Sequence, residues 1–170
     1  MKRLLALPLL LLACSCGLRP LYGGGGHGVV AQSLQSIAIA PIPGRAGWLV
    51  RTALEDRLHS GPETTPRYRL EVELDDQIAG FGLRLDNAIT RERRTLRARY
   101  RLVDAQVGTV LLDATAGSDS GIDVVSSEYA TVAAEQSALE RVSKEVADQI
   151  VSRVALYIAH TSDGGGGPGQ

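Results

Sequence analysis

Two stretches of this chain alternate apolar and charged residues one for one, and that pattern admits few folds. In residues 68–75, Tyr68, Leu70, Val72 and Leu74 alternate with Arg69, Glu71, Glu73 and Asp75. In residues 95–102, Leu96, Ala98, Tyr100 and Leu102 alternate with Thr95, Arg97, Arg99 and Arg101. A period of two marks a strand with one buried and one wetted face. A helix would scatter the same apolar residues around its circumference. The chain must therefore build a sheet that is covered on one side and open to water on the other.

The other segments supply the cover. Residues 37–40 form a short apolar strand that stops at Pro41 and Pro43. Residues 44–60 read as a helix, with Leu49, Val50, Ala53, Leu54 and Leu58 on one stripe. Arg51 and Glu55 have the spacing of an ion pair along it, and Gly61-Pro62 ends it. Gly80-Phe81-Gly82 and Asp86-Asn87 read as turn or loop. A second long strand spans 88–103, a turn spans 104–108, and a third strand of the meander spans 110–116. Glycine and serine in 117–121 read as its end and as the connection to the last helix. Residues 129–158 form that helix, with Val132, Leu139, Val142, Val146, Ile150, Val154 and Tyr157 recurring at three- and four-residue steps. The order is β-α-β-β-β-α. The expected fold is α+β, with two helices packed on one face of a four-stranded sheet.

Aromatic residues make up only 4% of the chain, so the core must come from Leu, Val, Ile and Ala. The single tryptophan, Trp48, opens the first helix and is expected to pack in the core or at the helix end.

The first residues read as an export signal. Lys2 and Arg3 precede a run of about ten apolar residues from Leu4 to Ala13. That is half of the roughly 20 residues a helix needs to span a bilayer. The only cysteines, Cys14 and Cys16, close this run, so the rest of the chain can form neither a disulfide nor a thiolate metal site. A cysteine at this place suggests a lipoprotein anchored by acyl chains such as palmitate. Cys14 follows the better local box, Leu11-Leu12-Ala13, whereas Cys16 leaves a longer signal and the small Ser15 at the cut. Cys16 is the preferred anchor and Cys14 the alternative. The expected organisation is a signal peptide at 1–15, a flexible tether at 16–34 containing Gly23-Gly24-Gly25-Gly26, a folded domain at 35–160, and a disordered glycine-rich tail at 161–170.

Little in the sequence points to catalysis. His27, His59 and His160 stand apart from acidic pairs at ligand spacing, and no nucleophile elbow occurs. Ser118-Asp119-Ser120-Gly121 lacks the spacing of a calcium loop. The glycine runs lack the following helix of a phosphate loop. No metal and no cofactor are expected. Losing Lys2 and Arg3 would leave 16 basic against 19 acidic residues, which gives no bulk attraction to nucleic acid.

One feature stands out. Arg91, Arg93, Arg94, Arg97, Arg99 and Arg101 share one strand with only Glu92 against them. Alternation sets Arg93, Arg97, Arg99 and Arg101 on the face opposite Leu96 and Tyr100. Two readings stand side by side. In one, these arginines pair across strands with Glu71, Glu73 and Asp75. In the other, they form a strip whose guanidinium forks grip phosphates or carboxylates.

The block Cys16-Gly17-Leu18-Arg19-Pro20-Leu21-Tyr22 is similar to the opening of the lipopolysaccharide-assembly lipoprotein family LptE, with Leu18 where phenylalanine is common. The helix ending Leu54-Glu55-Asp56-Arg57-Leu58, the strand pair and the closing alanine-rich helix follow the same order, and the likeness covers about 16–158. The block starts at the acylated cysteine, which favours Cys16. The resemblance implies two helices on a four-stranded sheet and a protein that is not an enzyme. It implies a seat inside the barrel LptD at the outer membrane, on the periplasmic side, as plug and assembly aid. It further implies lipopolysaccharide as a ligand and membrane attachment through the N-terminal lipid. The family's lipid-binding residues cannot be matched one by one. Assigning Arg91, Arg93, Arg97, Arg99 and Arg101 to the lipopolysaccharide is therefore an inference from the strip itself. The alternative function is an auxiliary lipoprotein of an ABC-type lipid transport system.

Overall fold

The computed structural model describes residues 29–58, 65–83 and 89–164. The signal peptide, Cys14, Cys16, the family-like opening block, His27, His59, Gly61-Pro62, Asp86-Asn87 and the end of the tail lie outside the described residues.

The elements are α1 (Val29–Gln35), β1 (Ile37–Ile39), α2 (Gly44–Leu58), β2 (Tyr68–Leu83), β3 (Ile89–Asp104), β4 (Val110–Asp123) and α3 (Glu128–Gly164). The expected α+β order is present, preceded by one short helix. The four strands lie side by side in chain order. β1 runs parallel to β2, with α2 as the crossover, and β2, β3 and β4 form an antiparallel meander.

The alternation seen in the sequence sorts the two faces. Leu70, Val72, Leu96, Ala98, Tyr100, Leu102 and Ala116 are buried beneath the helices. α3 lies across β4 and β3, while α2 packs chiefly on the flank of α3 and meets the sheet at β1 and β2. Val50, Ala53, Leu54 and Leu58 of α2 meet Val142, Val146, Ile150, Val154 and Ile158 of α3 in one apolar cluster. Burying such side chains contributes about 1.5–3 kcal/mol each relative to exposure. The Arg51–Glu55 pair forms along α2 at 2.7 Å.

Several expectations need correction. The segment read as tether ends in α1, whose Leu34 is buried in the core. The last helix runs on to Gly164, so the tail's first residues are helical. Gly80-Phe81-Gly82 is strand, not turn. Residues 117–121 are also strand, because β4 extends to Asp123 in register with β3. Their weak strand propensity is offset by polar ties to α3. Ser118 Oγ donates to Glu145, and Arg141 donates to Ser120 Oγ.

Trp48 is 64% exposed. Gly47 takes the inward position beside Val50, and its missing side chain lets α2 approach the Ile42 backbone. Val132 is also exposed, since the first turns of α3 run beyond the apolar cluster.

The turn at Asp104 is held by its own carboxylate. Oδ1 accepts the N–H of Gln106 at 2.8 Å and that of Val107 at 3.1 Å, and these bonds hold the carboxyl below its usual pKa. Gly108 closes the turn at φ +75°, a region where a side chain is strained.

The apolar cluster stops at Leu96 on β3 and Ala116 on β4, although both strands run on. Beyond that level Ile122 is still buried, and polar contacts tie the sheet to α3. Arg94 grips Asp76 with two bonds, at 2.8 and 2.5 Å, and donates to the Glu135 carbonyl at 3.3 Å.

Candidate functional site

The open face of the sheet is striped by charge. β2 presents Glu71, Glu73 and Asp75. β3 presents Arg91, Arg93, Arg97, Arg99 and Arg101. β4 presents Asp113, Asp119 and Asp123. Register aligns them, with Glu71 opposite Arg101 opposite Asp113, and Phe81 opposite Arg91 opposite Asp123. The arginine strip therefore lies between two acidic strands.

Both readings of the arginines meet in this geometry. Arg101 bonds Glu71 at 3.2 Å and Glu73 at 3.5 Å, the pairing with β2 that the sequence suggested. The other pairs go to β4. Arg99 forms a two-pronged contact with Asp113, at 3.1 and 2.8 Å. Arg97 reaches Asp119 at 3.5 Å, and Arg91 reaches Asp123 at 3.3 Å. Asp75 accepts from Gln77, not from Arg97. Arg93 lies over the Phe81 ring, 5.4 Å from its centroid. Asp119 and Asp123 were missed because the third strand was ended at 116, whereas Asp113 lay within it and was not weighed as a partner. Asp113, Asp119 and Asp123 share odd parity, and that signal appears once the strand is continued.

The electrostatics follow from exposure. The Arg99 guanidinium bonded to Asp113 holds that carboxyl below its usual pKa, and Arg99 is raised in turn by the same contact. These side chains are largely in water, however. Arg91, Arg97 and Arg99 keep more than half of their side-chain surface exposed. Exposed pairs of this kind contribute about 0–1 kcal/mol each. An arginine held so weakly can trade its carboxylate for a phosphate at little net cost, while its fork geometry is preserved.

A hollow of about 720 Å³ opens on this face between Glu73, Asp75, Arg97, Arg99 and Thr115. Its floor is Gly117, where a side chain would run into the Arg97 guanidinium. The strip thus has relief as well as charge. Among the described residues, no group of three or more His, Cys, Asp or Glu stands placed to hold a metal ion. No helix among them is long and apolar enough to cross a membrane.

The chain matches the model of the family LptE, lipopolysaccharide-assembly, over residues 34–154. It is similar in structure to a protein of Caulobacter crescentus CB15 described as a lipoprotein, at 29% identity and a TM-score of 0.67, covering 79% of this chain and 98% of that one. A minor lipoprotein of Acinetobacter baumannii shares the fold at 16% identity and a TM-score of 0.59, covering 72% and 92%. Lipoprotein B of Nitrosomonas europaea shares it at 18% identity and 0.53, covering 75% and 88%. No curated protein sequence matches the chain.

Proposed function

The chain belongs to the LptE lipopolysaccharide-assembly family, and from that premise we propose that it is an outer-membrane lipoprotein that plugs an LptD-type barrel and helps deliver lipopolysaccharide to the cell surface. A part in lipopolysaccharide assembly comes with the family. The barrel, the anchor and the lipid contacts are the finer reading.

The observation that carries it is the extent of the family match. Residues 34–154 take in the end of α1, all four strands, α2 and most of α3, which is the greater part of the folded body and not one motif. The anchor is Cys16, with Cys14 as the alternative, and it holds the body on the periplasmic side. Acyl chains suit this task, since each buried methylene contributes about 0.8 kcal/mol and one chain alone is marginal. Arg91, Arg93, Arg97, Arg99 and Arg101 are assigned to the anionic groups of lipopolysaccharide, supported by their exposure, their weak pairing and the hollow between Arg97 and Arg99.

Depletion of the protein in its own bacterium tests the reading. Surface lipopolysaccharide should fall and the barrel should assemble poorly. Normal surface lipopolysaccharide would refute the function. Recovery of an inner-membrane ABC transporter in place of a barrel on detergent co-purification would favour the auxiliary-lipoprotein reading. Mass spectrometry of the mature chain should find diacylglycerol at Cys16, and an unmodified chain would remove the anchor.

A further inference from the structure

Among the described residues the outer edge of β4 is bonded at two points, Gly121, whose carbonyl accepts from Ser120 Oγ at 3.3 Å, and Gly117. Gln149 of α3 reaches round the edge, donating from Nε2 to the Gly117 carbonyl at 3.0 Å and accepting the Gly117 N–H on Oε1 at 3.2 Å. The side-chain amide thereby does what a neighbouring strand would do. It also fixes the edge's parity. If Gly117 turns its N–H and C=O outward, so do Asp113 and Thr115, because backbone groups alternate along an antiparallel strand. No hydrogen bond among the described residues uses the outward groups of these two. Among the described residues β4 is the last strand of the sheet, and no fifth strand covers them.

Beside this open stretch the flank of α3 is hollowed. Two adjoining grooves share Arg153 and Leu156, one running back to Gln149, the other continuing past Leu112 and Tyr157 to His160. Their walls are mainly apolar, and Leu156 is 43% exposed. Arg153 has no ion-pair partner among the described residues. The one carboxylate in the grooves, Asp148, is already taken by Arg57. An unpaired backbone edge, an apolar trough beside it and an uncompensated cation together describe a seat for one extended segment.

We propose that the β4 edge from Val110 to Ala116 receives an extended strand of a partner protein, with alternate apolar side chains in the α3 trough and a carboxylate on Arg153. Backbone bonds supply affinity in this mode, and the alternate pockets supply selectivity. Gln149 marks the upper end of the seat. A second copy of the chain fits poorly. Pairing the open stretch of β4 with its own antiparallel twin would bring Asp113 of one copy beside Asp113 of the other, on strands whose wetted face already carries an acidic row.

The test uses the full-length chain in detergent and a fluorescein-labelled hexapeptide, Val-Thr-Val-Thr-Glu-Thr, read by anisotropy. Two further versions carry N-methyl groups on the odd or on the even amides. An added edge strand donates from one set only. One methylated version should therefore lose binding by about tenfold or more, and the other should keep it. Replacing the peptide's Glu by Lys should weaken binding about tenfold, and Arg153→Gln should erase that difference. Thr115→Pro removes an outward N–H without touching the inner ladder, so it should abolish binding while the chain still melts cooperatively. Equal loss from both methylated versions, or no peptide binding up to about 1 mM, overturns the proposal. Dimers in sedimentation that vanish in Thr115→Pro would assign the edge to a second copy and overturn it too. The peptide comparison stands even if the proline variant fails to fold.

Discussion

Arg57 of α2 clasps Asp148 of α3 with a two-pronged guanidinium contact, tying the two helices together through residues 91 positions apart in the chain. The second prong measures 3.0 Å, and the remaining arm of Arg57 donates to the Ala53 carbonyl at 2.8 Å. Asp148 is held below its usual pKa by the Arg57 hydrogen bond.

That contact gives the first prediction. Asp148→Asn should cost about 1 kcal/mol at neutral pH, a modest figure because the carboxylate is largely in water. The sign with pH is fixed. A carboxyl whose pKa is lowered on folding stabilises the fold above its unfolded value of about 3.9, and the contribution fades as pH falls through the lower folded value. Urea melts at pH 7 and pH 3 should therefore differ less in Asp148→Asn than in the parent. An equal difference in both would show that the clasp does not contribute.

A second prediction separates two roles of the arginine strip. In the triple variant Arg97→Gln, Arg99→Gln, Arg101→Gln, lipopolysaccharide binding should weaken, and the loss should shrink as salt rises. Stability should fall little, because these pairs are largely in water. Unchanged binding with a lowered melting temperature would make these arginines structural partners of Glu71, Glu73, Asp113 and Asp119 alone.

Ser143 leads to a stabilising change. It is 1% exposed, and its hydroxyl has no partner among the described residues. Ser143→Ala removes a buried polar group without a bond and improves helix propensity, so unfolding free energy should rise by about 1 kcal/mol. Chemical denaturation measures it directly, and a loss of stability would reveal a bond to water or to a partner.

The same substitution at two glycines should behave differently. At Gly47 a Cβ would stand 2.5 Å from the Ile42 carbonyl oxygen, so Gly47→Ala must shift backbone and should cost about 1–3 kcal/mol. At Gly117 the obstacle is the flexible end of Arg97. Gly117→Ala should leave stability nearly unchanged while pushing Arg97 aside and reducing the hollow. Thermal melts of the two variants check the contrast, and equal losses would contradict it.

The sheet was legible where its residues obey strict alternation. Tyr68 to Leu74 and Leu96 to Leu102 show burial at a period of two, and the register of β2 with β3 follows from facing that row inward. The stripe of α2 was equally plain. What escaped was held by tertiary contacts and not by local preference. Residues 117–121 look like loop to any propensity argument, yet Glu145 and Arg141 of α3 bind Ser118 and Ser120 there. Trp48 was judged by its size, when its place one step off the Gly47–Val50–Leu54 stripe already turned it outward. The arginine strip was found, but half of its pairing was not, because Asp119 and Asp123 lay beyond the end assigned to the third strand and Asp113, inside it, was not weighed against Arg99.

The end of the apolar cluster at Leu96 and Ala116 grades the molecule's resistance to opening. Amide protons near Tyr100 and Leu102 should exchange only when the whole body unfolds, whereas those from Arg91 to Arg94 should be released by local fraying that leaves the other half intact. The near half thus behaves as a rigid foldon. The far half keeps its order through the strand ladder and a few polar ties to α3, so loosening those ties should free it without unfolding the rest.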